Sequence, residues 1–187
     1  MINLCLHDSK PFTVVLIHHG EEALGELAEP YRIGTTARII QAQRLPDGRM
    51  NIVAVGEERV RIVSLERDLQ PYLVGYLNPF PLQPSSPDLI LKEGSRLATL
   101  FDRYMRIASQ GSTEQIDIYQ LADEPASLAY AAAAMLQISN SKKQEILSLE
   151  EDLDLVQGMI AIFRQEIALL QVMLRKGPEL EGGFSAN

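Results

Sequence analysis

Cys5 is the only cysteine in the 187-residue chain. One sulfur cannot make an intramolecular disulfide and is too few for a Cys-based zinc site. With no activating partner near it in sequence, Cys5 reads as a small buried hydrophobe. No unbroken apolar run approaches the roughly 20 residues a membrane span needs, so no membrane partner is expected. The opening Met1-Ile2-Asn3-Leu4-Cys5-Leu6-His7-Asp8 has neither a basic n-region nor a long apolar h-region and does not read as a secretory signal. A reducing cytoplasm is the simplest compartment. Catalytic signatures are missing too: there is no G-x-x-x-x-G-K-[ST], no G-x-S-x-G and no H-E-x-x-H, so no P-loop, nucleophile elbow or zincin helix is encoded. Positive charge is also short. The net charge is −8 and the pI about 4.9, which leaves little of the basic surface that drives nucleic-acid affinity.

What the chain has is a run of β-patterned residues from Ile33 to Tyr76. Ile33-Gly34-Thr35-Thr36-Ala37-Arg38-Ile39-Ile40 nearly alternates apolar and polar over β-branched residues, the period of a half-buried strand. Leu45-Pro46-Asp47-Gly48-Arg49 interrupts it with a proline that presets φ, an aspartate that can bond its own backbone and a glycine that tolerates positive φ. A second strand follows in Met50–Val55, making a hairpin. Gly56-Glu57-Glu58 breaks the pattern at a bulge or tight corner. A third strand is expected from Arg59 to Leu65, and a fourth from Pro71 to Leu77.

These residues also carry a family likeness. Ile33-Gly34-Thr35 with Ala37 and Ile39, Pro46-Asp47-Gly48-Arg49, Gly56-x-x-Arg59 before Arg61-Ile62, and Pro71-Tyr72 occur in the order found in the substrate-binding N-terminal domain of Lon proteases, which the chain resembles. The resemblance implies an α+β fold: a PUA-like antiparallel β-barrel subdomain followed by a C-terminal helical bundle with one long terminal helix. It implies recognition of proteins, unfolded or damaged ones among them, in the company of a protease or chaperone. It implies no cofactor and no nucleic acid. PUA-like barrels often bind RNA, but the first 87 residues hold eight Lys and Arg against ten Asp and Glu, and the remainder nine against fifteen.

Ahead of that core, Ile2, Leu4, Cys5 and Leu6 form a short helix or strand, and Phe12–Ile17 reads as one buried strand ending before Gly20. Glu21–Pro30 is an acidic loop. After the sheet, Asn78–Pro87 contains four prolines, which withhold donors from a sheet and extend the chain. Ser86-Pro87-Asp88 starts a helix with a cap, an N1 proline and an acid in the first turn. Leu97, Leu100, Phe101, Tyr104, Ile107 and Ala108 recur on its face. Asp123 caps a second helix whose apolar face holds Leu128, Ala131, Ala132, Met135 and Leu136, and Lys142–Leu147 forms a short segment. The last helix has a seam at Leu153, Val156, Ile160, Phe163, Ile167, Leu170 and Leu174, the docking face of a bundle helix. Gly177-Pro178 stops it. The division is therefore 1–80 for the β subdomain, 81–87 for the linker, 88–177 for the helices and 178–187 for a tail. Leu121-Ala122-Asp123, Lys143-Gln144-x-x-Leu147 and the long helix follow the Lon order as well.

Candidate site residues are few. His18-His19 beside Glu21-Glu22 offers metal-ligand types, but neighbours on a strand face opposite ways, so the ordinary reading is a strand running into a polar loop and no metal is assigned. Arg59 and Arg61 suit a carboxylate ligand or a structural pairing with Glu57, Glu58 or Glu66. Tyr31, Tyr72, Tyr76 and Phe80, with Arg59, are the candidates for a peptide-binding surface, since tyrosine joins an apolar ring to a polar tip. No catalytic residue is assigned. A full Lon protease follows this domain with an ATPase module and a Ser-Lys site, and the sequence carries neither motif. The expected function is protein recognition without chemistry; a hydrolase with an unrecognised site and an RNA-binding module are the alternatives. Lon domains also begin with further strands and a Phe-Glu-x-Arg-Tyr-like motif that has no counterpart before Met1. Either the coding start lies further upstream, or the open strand edge is closed by a homodimer.

Overall fold

The computed structural model describes residues 1–21, 28–109 and 124–176. The elements in chain order are α1 (Ile2–Asp8), β1 (Phe12–Val14), β2 (Ile17–His19), β3 (Glu29–Pro30), β4 (Ile33–Arg44), β5 (Met50–Glu66), β6 (Val74–Pro79), α2 (Pro87–Ala108), α3 (Pro125–Met135), α4 (Asn140–Leu147) and α5 (Asp152–Lys176). They divide into two compact units, Met1–Pro81 with Asn140–Ser148, and Leu82–Ser139 with Leu149–Asn187. All the strands lie in the first unit, with α1 and α4, and the longer helices α2, α3 and α5 lie in the second, an α+β architecture as expected.

In the first unit, β1, β4, β5 and β6 form an antiparallel sheet in that order, and β2 pairs with β3 in a separate ribbon. The β4–β5 turn follows its sequence. Gly48 sits at φ +85, the Leu45 N–H donates to Arg49 O at 2.9 Å, and the Asp47 carboxylate accepts the Arg49 N–H at 3.0 Å and Arg49 Nε at 2.7 Å. Those bonds from Arg49, the backbone one first, hold the Asp47 carboxyl below its ordinary range. The expected second and third strands are one continuous strand, β5. Gly56-Glu57-Glu58 is a bulge within it, because Thr35 pairs with Arg59 while Ala37 pairs with Gly56. The Thr36 hydroxyl takes up the spare backbone groups, accepting the Glu58 N–H at 3.1 Å and donating to Glu58 O at 3.3 Å. That satisfies the residue a bulge leaves out of the ladder.

Two further expectations change. Phe12–Ile17 is not one buried strand: β1 pairs with β4 and β2 with β3, and Val14 is 53% exposed. The chain crosses Gly34 between them so closely that a Cβ there would lie 2.5 Å from Val15 Cγ1 and 2.6 Å from Val14 O. The last strand begins at Val74, not Pro71, since proline cannot supply a ladder donor. Residues 1–8 take the helical option, closed by Ser9 at φ 53 with Lys10 N–H on Cys5 O.

Helix α4 belongs with the sheet, although a continuous 88–177 division puts it among the helices. Its buried Gln144 donates from Nε2 to Ile33 O at 3.0 Å, and its Ile146 joins Ile33, Ala37, Val60 and Ile62 as the buried apolar residues of this unit.

The second unit is built on α5. Leu155, Val156, Met159 and Phe163 are fully buried, with Ile160 and Ile167 nearly so. The seam runs out beyond Ile167, and Leu174 is 52% exposed. α2 contributes Leu97, Phe101 and Tyr104, and the Phe163 ring lies 5.6 Å from Phe101 and 5.3 Å edge-on from Tyr104. In α3 the buried face is Leu128, Ala129, Ala132 and Ala133, while Met135 is exposed. Small residues allow the close approach: a Cβ on Gly94 would meet the Pro125 ring at 2.6 Å. Ser86 makes no side-chain cap bond. Instead the strap before α2 is pinned to the start of α5, Ser85 N–H donating to Asp152 Oδ1 at 3.0 Å and Asp152 N–H to Gln83 O at 3.1 Å. By length and composition Asp152–Leu174 would suffice to cross a membrane. However, Arg164 and Glu166 interrupt it and its apolar stripe is buried against α2 and α3, which makes it a core helix. Asp123 and Leu121-Ala122, Glu22, and Gly177-Pro178 lie outside the described residues.

Phe163→Ala is expected to cost about 3–5 kcal/mol through transfer and cavity terms, read from urea or thermal melting of the helical signal. Burial first, and the Glu166 charge second, raise the Tyr104 phenol above its ordinary value. Its neutral form is therefore favoured in the folded chain. Its contribution is complete below about pH 10 and is lost as pH rises through the raised value. Tyr104→Phe should flatten the loss of stability above that pH and remove one high-pH phenol from an alkaline absorbance titration. An unchanged titration would contradict this.

Candidate binding site

The first unit has a largely apolar hollow of about 270 Å³ beneath α1. Met1, Leu4 and Cys5 of α1 form one wall, Pro11, Phe12 and Val15 a second, and Ile62, Leu65, Tyr72, Val74 and Leu77, from the end of β5 and the approach to β6, the third. The sequence logic is local in each case. α1 presents Met1, Leu4 and Cys5 on one face because residues three and four apart share a helical side, and Ile62 alternates inward along β5. Lys10 is the one charged side chain in the lining. Its ammonium lies 3.2 Å from Asp8, whose carboxyl is held below its ordinary value by His7 and then by Lys10. Beside Lys10, already paired with Asp8, the lining holds the Cys5 thiol and the Tyr72 phenol, and the rest is largely apolar, a surface that can bind an apolar group.

The five residues read from the sequence fall in separate places. Tyr72 lines the hollow. Tyr76 stands 61% exposed on β6. Tyr31 meets the His18 ring edge-on at 4.7 Å. Arg59 and Phe80 form a unit of their own: Arg59 Nε donates to Phe80 O at 3.0 Å, and its guanidinium stands 4.6 Å from the Phe80 ring, with that of Arg61 at 4.2 Å. Arg59 Nη1 also donates to Leu147 O at 2.8 Å, so a cation closes the carbonyl end of α4, where the helix dipole favours it. Glu57, one of the acids expected near Arg59, is bound by Arg38 at 2.6 Å. The histidines also depart from the strand rule. Ile17 pairs with Pro30 and His19 with Glu29, so His18 is the extra residue of a bulge, and the two rings stack at 3.8 Å. Among the described residues no group of three His, Cys, Asp or Glu is placed to hold a metal.

A family model described as the ATP-dependent protease La (LON) substrate-binding domain matches residues 1–156. The chain belongs to this Lon domain family. Among curated relatives, the Lon protease of Solibacter usitatus is 28% identical over 144 residues, covering 77% of this chain and 18% of its own. That of Escherichia coli K12 is 25% identical over 173 residues, covering 90% and 21%. The chain thus spans about a fifth of the length of the Lon proteases it matches. Two solved structures share the fold. A Lon N-terminal domain protein from Xanthomonas campestris has a TM-score of 0.59 at 21% identity, covering 86% of this chain and 80% of its own. The N-terminal domain of a Mycobacterium avium complex Lon protease has a TM-score of 0.60 at 17% identity, covering 83% and 77%. Membership of the Lon domain family places substrate recognition as the coarse role of this chain.

Sequence reading missed the hollow because its walls come from four separated segments. The one available signal was the apolar spacing of Met1, Leu4 and Cys5. If Arg59 is structural, Arg59→Met should cost about 1–3 kcal/mol by leaving carbonyls without their donor, whereas Tyr76→Ala on the open face should stay within about 0.5 kcal/mol. Urea denaturation of both variants checks the contrast.

Proposed function

We propose that the chain is a protein-recognition module that binds unfolded or damaged polypeptides and performs no chemistry on them, working beside a protease or chaperone in a reducing cytoplasm. The family match to a substrate-binding domain over residues 1–156 carries this reading. The apolar hollow supports it: a polypeptide that exposes the residues a folded protein hides meets a surface with apolar area to share and one internally paired charge. The absence of P-loop, nucleophile-elbow and zincin motifs from the sequence supports the non-catalytic part.

Such contacts are expected in the micromolar range, about −8 kcal/mol, without nucleotide. Fluorescence anisotropy of labelled casein-like unfolded clients against compact folded counterparts is the test. Preference for the unfolded form is the expected result, and equal or absent binding would contradict recognition. Incubation of the same clients with and without ATP should leave them intact.

A further inference from the structure

Resting on the reading that the chain works beside another protein, we propose that the exposed face of α2 docks an acidic segment of that partner. Lys92, Arg96, Arg103 and Arg106 are all exposed. They step by four, seven and three, so at 3.6 residues per turn they share a sector of about 80°. The buried residues of the helix, Leu97, Phe101 and Tyr104 among them, lie on its far side. The cations therefore form a stripe about 21 Å long on a helix whose opposite face is packed. Asp88 is the one acid in the same sector, and it sits in the first turn, where the helix dipole favours it.

Arg96 is held by Glu93 at 3.1 Å and Arg106 by Asp102 at 3.0 Å, whereas Lys92 and Arg103 make no ion pair among the described residues. The hydroxyls between them are spent on the helix itself, Ser95 donating to Leu91 O and Thr99 to Ser95 O, both at 3.0 Å. What the face offers is positive charge, in a chain whose net charge is −8.

An acidic polypeptide fits this stripe better than a nucleic acid does. A duplex carries one charge per about 1.7 Å, or about twelve over this length, against four cations of which two are already paired. A polypeptide needs one carboxylate every turn or two to answer them. A dedicated partner also fits better than a client. Charges fixed along a packed helix select one complementary surface, whereas unfolded chains have apolar exposure in common and no shared charge pattern.

Fluorescence anisotropy of labelled fifteen-residue helical peptides against the intact chain is the test. One peptide carries glutamates spaced as the four cations are, and the other has glutamines in their place. The glutamate peptide should bind at least about fivefold more tightly at low salt, since an exposed ion pair contributes up to about that factor, and the difference should shrink as ionic strength rises. Lys92→Gln with Arg103→Gln should remove the preference without moving the thermal melt, because both side chains are exposed. Arg44→Gln with Arg49→Gln, which takes the same charge from the β4–β5 hairpin, should leave it intact. No preference for the glutamate peptide, or equal loss in both double variants, would overturn the proposal. Tighter binding of RNA or inorganic polyphosphate, lost with Lys92 and Arg103, would reassign the stripe to phosphate anions. Salt-sensitive self-association lost in the same variant would reassign it to a second copy of the chain. Unfolded casein-like clients should bind the Lys92→Gln, Arg103→Gln variant as they bind the native chain; failure of those clients to bind either chain would contradict recognition itself, separately from the stripe.

Discussion

The sheet depends on β5 serving two partners along one strand. Among the described residues, Val60 and Arg61 are the two positions paired on both sides, with Gly34 and Ile33 of β4 and with Pro79 and Asn78 of β6. On one side of this overlap β5 continues with β4, which carries β1 on its other edge at Thr35–Ala37 and then runs out with β5 as a two-stranded arm; on the other side β5 runs on with β6. The buried residues Val60 and Ile62 lie in or beside the overlap. The bulge at Gly56–Glu58 comes immediately before it and gives the strand the extra residue and local twist that bulges supply, with the Thr36 hydroxyl absorbing the backbone groups set free.

The same few residues tie α4 to the sheet. Gln144 reaches the carbonyl of Ile33, and Arg59, next to the overlap, reaches that of Leu147 at the other end of the helix. Each bond joins segments more than eighty residues apart, and each answers a backbone carbonyl rather than another side chain. That explains why a segment lying between two helices of the second unit in sequence belongs to the first in structure. Arginine suits the task because its planar fork reaches two carbonyls, those of Phe80 and Leu147, while its face lies near the Phe80 ring.

Local chemistry was legible wherever one residue type decides it. Pro46-Asp47-Gly48 marked the hairpin turn, Gly56 marked the bulge, and the three-four stepping of Val156, Ile160, Phe163 and Ile167 marked the buried stripe of α5. Features set by distant contacts were not. Nothing between Val14 and Ile17 marks the exchange of β4 for β3 as partner, because the cause is the close approach of Gly34. Lys142–Leu147 has no strong apolar period to betray its place on the sheet. Of the five residues read as a binding surface, Tyr72 lines the hollow and Arg59 and Phe80 brace the fold. Residue type alone cannot separate an aromatic that is offered from one that is used.

The central claim is that client recognition belongs to the sheet unit and its apolar hollow. Hydrogen–deuterium exchange on the intact chain, with and without a saturating unfolded client, tests it most directly. The account predicts slowed exchange on adding client in 2–15 and 62–77, with α2 and α5 unchanged. Protection confined to 87–108 and 152–176, with those two segments unaltered, would contradict it.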